Sequence, residues 1–142
     1  MEIKIKPAKQ SNNKDILKIF TLLEIENYFH TNIKKINKHI QKKECFIAIR
    51  ENQIIGAMIL TFIDYSGWIQ LIASKEKGGG KAMIGFAVKK CRQKKVPKLW
   101  CWSLKRYKAK GFYKKMGFTE SYILKKQWFG EDCYFFGRLI KI

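Results

Sequence analysis

The chain has 142 residues, of which 46% are hydrophobic, and it carries a formal net charge of +19. A chain of this length suffices for a single domain over residues 1–142 that buries about two thirds of its unfolded surface. No apolar run approaches the roughly 20 residues of a membrane span, and the first residues lack the apolar core of a signal peptide, so we expect a cytoplasmic protein without a membrane partner.

The positive charge leaves two interpretations open. It suits an anionic partner such as nucleic acid, a ribosome, a phosphorylated cofactor or an acidic protein. However, only four of the 30 basic residues are arginine, and the lysines are spread evenly along the chain. Nucleic-acid sites tend to use clustered arginine, so a lysine-rich solvated surface is the competing interpretation.

The cysteines and histidines show no metal-binding pattern. The four cysteines lie far apart, without a Cys-x-x-Cys pair, and His30 and His39 have no cysteine partner nearby. We therefore expect reduced, buried cysteines and no metal site. The cysteines are Cys45, Cys91, Cys101 and Cys133.

The first third of the chain predicts one strand and two helices. Residues 2–6 alternate polar and apolar before Pro7, as in a half-buried strand. Residues 11–13 offer N-caps for a first helix, and Ile16, Phe20, Leu23 and Asn27 are predicted to lie along one of its faces. Thr31 and Asn32 open a second helix with apolar residues at Ile33, Ile36 and Ile40.

From Cys45 onward the pattern becomes that of strands and turns. Residues 46–50 and 54–60 predict a hairpin around a turn at 51–53. A turn at 64–67 then leads into a central strand over 68–73. A helix with Met83, Ala87 and Cys91 on one face follows and stops at Val96-Pro97.

The last third predicts three strands and one short helix. The strands cover 99–103, 120–126 and 133–140, and the helix covers 108–116 and is closed by Gly117. The predicted order is β-α-α-β-β-β-α-β-α-β-β. This order indicates a mixed, mostly antiparallel central sheet flanked by helices in a three-layer α/β arrangement.

The stretch from Lys75 to Ala82 is the best candidate for a binding site. Glycines at 78–80 remove every side chain, so backbone N–H groups can close on a ligand, and the following helix adds its positive end. Lysines at 75, 77 and 81 surround this turn, and together these features predict a phosphate site. A plain flexible connection between strand and helix is the alternative.

Two familiar phosphate motifs do not fit this stretch. A Walker A loop needs glycine five residues before Gly80 and a hydroxyl after the lysine, where this chain has Lys75 and Ala82. A dinucleotide-binding turn needs a third glycine where Met83 stands, and no series of βα units follows.

Two motifs together resemble the GCN5-related N-acetyltransferase (GNAT) family. Residues 75–80, Lys-Glu-Lys-Gly-Gly-Gly, match its pyrophosphate signature Arg/Gln-x-x-Gly-x-Gly/Ala except at the first position. Residues 109–118 reproduce its Ala-x-x-x-Tyr-x-x-x-Gly-Phe motif in full. The resemblance runs from about Cys45 to the end of the chain. It implies the GNAT fold and an N-acyltransferase that uses acetyl-CoA or another acyl-CoA.

The resemblance also implies roles for particular residues. The central strand should part from its neighbour after Ile72 and offer its backbone to the pantetheine, and Tyr113 should protonate the departing thiolate. A purely packing role beside Phe112 and Phe118 is the alternative for Tyr113. The residues implied in cofactor binding are Ile72, Ala73, Lys75, Lys77, Gly78, Gly79, Gly80, Lys81, Ala82 and Arg106.

The chain departs from the family pattern in several places. The connection from the central strand to the glycines is short, and Arg106 stands where many members have asparagine. Gln70 occupies the strand position where many members keep a carboxylate base, so Asp64, Glu44 or a chain of water molecules is left for that role.

Two functions therefore remain open. One is an acetyltransferase acting on an amine of an unidentified acceptor that is anionic or associated with nucleic acid. The other is a module of the same fold that binds nucleic acid or a ribosome with little catalysis. Aromatic side chains beside lysines offer stacking surfaces for the latter, although residues such as Trp100 and Trp102 more often belong to a core. A homodimer is left open by the sequence.

Overall fold

The computed structural model describes residues 2–26 and 31–142. Its strands are β1 (Lys4–Pro7), β2 (Cys45–Arg50), β3 (Gln53–Ile63), β4 (Ser66–Ser74), β5 (Lys98–Leu104), β6 (Glu120–Trp128) and β7 (Glu131–Leu139). Its α-helices are α1 (Asn13–Phe20), α2 (Ile33–Gln41), α3 (Gly79–Gln93) and α4 (Lys110–Lys115). The order of these elements along the chain is the predicted one.

The strands form one mixed sheet in the order β1-β2-β3-β4-β5-β7-β6. Strands β4 and β5 run parallel, whereas β1 with β2, β2 with β3, β5 with β7 and β6 with β7 run antiparallel. The mixed, mostly antiparallel sheet flanked by helices is confirmed, with β4 at its centre. Among the described residues, no helix is both long and apolar enough to cross a membrane.

The chain forms two compact units. The first unit comprises Met1–Thr61 and Gln70–Phe86, and the second comprises Phe62–Ile69 and Ala87–Ile142. A single domain over residues 1–142 therefore stays a prediction.

In the first unit, the two amphipathic helices α1 and α2 bury their apolar faces against strands β2 to β4. Asn32 caps α2, because its side chain accepts the N–H of Lys35 at 2.9 Å, as the sequence predicts. The Asn13 amide donates to the Asn37 side chain at 3.0 Å and ties the two helices together. The buried cluster consists of Ile16, Ile19, Phe20, Ile36, Cys45, Ile47, Ala57, Ile59 and Ala73.

The first helix is shorter than predicted. Helix α1 ends at Phe20 and continues as one 3₁₀ turn over Thr21–Leu23, so Leu23 does not lie on its α-helical face. The Thr21 hydroxyl donates to the Lys18 carbonyl, and this local bond competes with further α-helical pairing. Asn27, which was expected on the same face, lies outside the described residues.

In the second unit, α4 ends as the sequence predicts. Gly117 has φ 85°, a left-handed conformation that glycine adopts without strain, and the Phe118 N–H donates to the Tyr113 carbonyl at 3.0 Å. Trp100 stacks on Trp68 with ring centroids 5.1 Å apart, and Trp102 meets Trp100 edge-on. These tryptophans are half-buried on one face of the sheet.

All four cysteines are free and buried, as expected. Burial raises the pKa of the Cys45 and Cys101 thiols to about 12 and that of Cys91 to about 11, because a thiolate is poorly solvated there. Burial raises the pKa of Cys133 as well. In the folded protein these sulfurs are therefore neutral at physiological pH.

This arrangement predicts the reactivity of the thiols. At pH 8 the native protein should not react with 5,5′-dithiobis(2-nitrobenzoate), because the thiolate is the reactive form, whereas all four thiols should react in guanidinium. A Ser121→Cys variant, which places a thiol on the exposed surface of β6, serves as the positive control. Rapid reaction of a native thiol would contradict the burial described here.

Candidate active site

Each of the first two glycines after β4 has its own structural reason. Gly78 has φ 95°, a conformation that other residues adopt only under strain. It lies directly before α3, and its carbonyl accepts the Ala82 N–H at 3.1 Å. A Cβ on Gly79 would lie 2.1 Å from Ser74 Oγ, which is closer than any packing allows. Gly78 is therefore required by the backbone, and Gly79 is required by the tight return of the chain past Ser74.

The first turn of α3 presents polar backbone without a side chain in front of it. The N–H groups of Gly80 and Lys81 have no acceptor within the helix, because they belong to its first turn. They lie at the amino-terminal end of the helix, where the helix dipole is positive. This is the geometry that suits a pyrophosphate, and the glycine residues leave room for it to approach.

Arg50 braces this turn, and sequence reasoning missed it. At the end of β2, Arg50 Nη1 donates to Glu76 Oε1 at 2.9 Å and Nη2 donates to the Lys77 carbonyl at 3.3 Å. Its Nε is buried and has no hydrogen-bond partner among the described residues. The residues involved are about 26 positions apart, so no local pattern could have found this contact.

The Ser74 hydroxyl adds a second support to the same turn. Ser74 Oγ donates to the Glu76 carbonyl at 2.6 Å and accepts the Glu76 N–H at 3.3 Å. The turn is therefore tied to the end of β4 and to Arg50, and it is not a flexible link.

The other cofactor-binding residues expected in the first unit differ in how exposed their side chains are. Lys75, Lys77 and Lys81 are exposed around the turn, and Ala82 is half-buried. Ala73 is buried in the core and Ile72 is half-buried, so Ala73 can offer a ligand only its backbone. The nearby carboxylate of Glu76 is paired with Arg50, which leaves the lysine charges to dominate.

Within the second unit, β4 and β5 form a parallel ladder. Its three pairs are Gly67 with Leu99, Trp68 with Trp100, and Ile69 with Cys101. Ile72 belongs to the first unit, so the expectation that the strands part after Ile72 stays a prediction.

Aromatic side chains pack across these strands. The Trp68 and Trp100 rings stack within the paired region, and Trp100 and Trp102 both pack on Phe135 of β7, with centroids 5.7 and 5.3 Å apart. Strand β5 is paired with β7 over its whole length, from Lys98 to Leu104.

Tyr113 on α4 lies beside this ladder. It is 5% exposed, stacks on Phe136 with centroids 4.7 Å apart, and shares a hydrogen bond between its hydroxyl and the thiol of Cys101. Burial, followed by the nearby Cys101, raises the pKa of Tyr113 well above its ordinary value. The hydroxyl is therefore neutral at physiological pH, and its catalytic role stays a prediction. Sequence reasoning had not connected Cys101 with this tyrosine.

Arg106 lies in a 3₁₀ turn over Lys105–Tyr107 and forms a two-pronged ion pair with Glu131. Its Nε donates to Glu131 Oε1 at 2.8 Å and its Nη2 donates to Oε2 at 3.0 Å. A contact between Arg106 and a CoA phosphate would have to share or replace this carboxylate. The role that the resemblance implies for Arg106 therefore stays a prediction.

Of the two carboxylates expected to replace a catalytic base, one contacts another side chain and the other lies in an exposed turn. Glu44 Oε1 lies 2.8 Å from His39 Nδ1, and Asp64 is exposed in a turn with φ 47°. The Gln70 amide donates to the Thr61 hydroxyl at 3.3 Å. In residues 2–26 and 31–142, no three metal-ligating side chains come together.

Several solved structures share this fold. Ard1 from Thermoplasma volcanium superposes with a TM-score of 0.86 at 16% identity, and the superposition covers 100% of each chain. A NatC complex bound to a Gag peptide and CoA gives 0.79 at 18% identity, with 99% of this chain and 100% of that chain covered. The ribosomal-protein-S18-alanine N-acetyltransferase from Escherichia coli gives 0.80 at 16% identity, with 99% and 96% covered.

A family model describes the sequence directly. No curated protein matches the sequence, but the model of the acetyltransferase (GNAT) domain matches residues 41–120, more than half of the chain. This range contains both the glycine turn and Tyr113. The chain therefore belongs to the GNAT acetyltransferase family, and it is an N-acetyltransferase whose co-substrate is an acyl-CoA.

Proposed function

We propose that this protein transfers an acetyl group from acetyl-CoA to the α-amine of a polypeptide, with Tyr113 as the general acid. The observation that carries the proposal is the contact of the protonated Tyr113 hydroxyl with Cys101, a β5 residue paired with β4. The polypeptide acceptor is supported by the peptide in the NatC complex and by the ribosomal protein named for the E. coli enzyme.

The donor would be held mainly by backbone. The amides of Ile72 and Ala73 would pair with the pantetheine, and the N–H groups at the start of α3 would bind the pyrophosphate. Lys75, Lys77 and Lys81, which surround the turn, would add attraction for the phosphates. The adenine and the acyl chain receive no assigned side chain in this proposal.

The chemistry then needs one proton for the sulfur. The neutral amine attacks the thioester carbonyl, the new C–N bond forms, and the C–S bond breaks with its electron pair on sulfur. Tyr113 gives its proton to that sulfur and is reprotonated by the proton released from the amine through water. Burial keeps the Tyr113 hydroxyl protonated at neutral pH, so its proton is present when the thiolate forms.

The net charge of +19 also supports an acceptor bound to nucleic acid or a ribosome. A nascent chain on a ribosome would satisfy both observations, and a cytoplasmic location would follow. Retention of RNA with a steep salt dependence, together with no acetylation of any amine, would favour the binding module instead.

The first test removes the proton donor. Tyr113→Phe should lower kcat at least about a hundredfold and change CoA affinity little, because the ring packing stays and the hydroxyl is lost. Steady-state kinetics and calorimetry with CoA measure the two quantities. Tyr122→Phe, at a tyrosine 58% exposed on β6, is the control. An unchanged kcat would exclude Tyr113 as the acid.

The second test places a charge in the phosphate turn. Gly80→Asp should weaken acetyl-CoA binding about a hundredfold, roughly 2.8 kcal/mol, through repulsion of the pyrophosphate. The fold should tolerate it, because an acidic residue suits a helix N-terminus. Gly85→Asp adds the same charge on α3, where an added Cβ meets nothing within 4 Å. Wild-type affinity in a folded Gly80→Asp protein would make the turn a mere connection.

The third test loosens the brace. Arg50→Met keeps the aliphatic stem and removes both donors to Glu76 and Lys77, so the Kd for CoA should rise about tenfold while kcat at saturating acetyl-CoA persists. Arg50→Lys should recover part of the affinity. Arg92→Met, exposed at the end of α3, is the control. A fall in kcat without a change in affinity would contradict a positioning role.

A further inference from the structure

A basic pocket of about 410 Å³ lies in the second unit, at the carboxyl end of β5. Its cations are Lys105, Arg106, Lys108 and Lys126, and its carboxylates are Glu131 and Asp132. They come from the 3₁₀ turn after β5, from β6 and from the start of β7. The side chains leave a surplus of two positive charges facing the pocket.

Both carboxylates of the pocket are already engaged. Glu131 takes the fork of Arg106, at 2.8 and 3.0 Å. Asp132 Oδ1 accepts the Lys126 N–H at 3.0 Å, and its Oδ2 lies 3.6 Å from the Lys125 ammonium. In the part of the chain that the structure describes, the ammonium groups of Lys105, Lys108 and Lys126 have no carboxylate of their own.

The electrostatic field of these lysines is felt by the pocket's own aspartate. The Lys126 N–H and the charges of Lys125, Lys126 and Lys105 lower the pKa of Asp132. An added carboxylate would meet the same positive surroundings, because the four cations of the pocket outnumber its two carboxylates.

The backbone holds two of these lysines in unusual conformations. Lys108 has φ 55° and Lys126 has φ 54°, values at which glycine or asparagine carries less strain. Seven other non-glycine residues of the described chain share a positive φ, so the conformation is a general feature of the turns in this chain. At these two positions it places a lysine in the lining of the pocket.

We propose that this pocket binds the carboxylates of an acidic segment in the polypeptide acceptor. The proposal rests on the proposed function, since it assigns the acceptor's composition. The pocket begins at Lys105, directly after β5 and four residues beyond Cys101, whose thiol bonds to the Tyr113 hydroxyl. At about 3.3 Å per strand residue, a short segment would span that length of chain.

A discrete acidic segment fits this pocket better than a nucleic-acid backbone does. The lining carboxylates of Glu131 and Asp132 would repel a continuous row of phosphates, whereas separate carboxylates can meet the lysines one by one. Arg106 can also exchange its carboxylate partner for one from the ligand, because its planar fork suits either.

The test compares two fluorescent peptides of equal length, one with four consecutive acidic residues and one with the matching amides, both with blocked N-termini. Anisotropy at low salt should show the acidic peptide binding about tenfold tighter, with the preference falling as salt rises. The double variant Lys108→Gln/Lys126→Gln should reduce the preference to about twofold or less. Glutamine is similar in length to lysine and is not β-branched, so the substitution should leave the left-handed backbone at both positions unchanged.

The control variant is Lys89→Gln, at an exposed position of α3 outside the pocket, which should keep the full preference. Equal binding of the two peptides, or equal losses in the control, would overturn the proposal. Tighter binding of a single-stranded oligonucleotide through the same two lysines would also overturn it and assign the pocket to nucleic acid.

A second measurement separates this inference from the proposed function. With free N-termini and acetyl-CoA, the acidic peptide should be acetylated at a KM about tenfold below that of the amide peptide. If the acidic peptide binds more tightly but neither peptide is acetylated, the proposed polypeptide acceptor is refuted and the pocket's preference for acidic segments is still supported. Acetylation of both at equal KM would refute the pocket and support the acceptor.

Discussion

The pairing of β5 with its two neighbours positions the residue that contacts Tyr113. Within the second unit, three residue pairs hold β4 parallel to β5, and β5 pairs with β7 over its whole length. Cys101 of β5 pairs with Ile69 of β4 and with Phe136 of β7, and its thiol bonds to the Tyr113 hydroxyl. Sheet pairing in this way fixes the residue that holds the hydroxyl of the proposed proton donor.

The conformation of the glycine turn is also fixed by a small number of residues. One glycine is needed for the left-handed backbone and the next for a close approach to Ser74, which leaves the start of α3 free of side chains. Arg50 and Ser74 then fix the turn through hydrogen bonds to residues 76 and 77. A rigid array of N–H groups loses little entropy when it orders around a phosphate, which favours binding.

The order of elements, the central strand and the closure of α4 at Gly117 could be predicted, because each depends on local periodicity or on a glycine. The end of α1 could not, since it depends on a hydroxyl that bonds back to the helix. Nor could the brace by Arg50, the partner of Arg106 or the register of β4 with β5, because each joins residues distant in sequence. The motifs located Tyr113, but its hydrogen bond to Cys101 is a property of the packed fold.

The buried thiols have a consequence for chemical selectivity. Thioesters exchange readily with thiolates, and the Cys101 sulfur lies next to Tyr113, the proposed general acid. Its pKa of about 12 keeps it in the unreactive thiol form. An amine is then the better nucleophile available to the thioester. The same burial that packs the second unit thus guards the acyl group against capture by the enzyme itself.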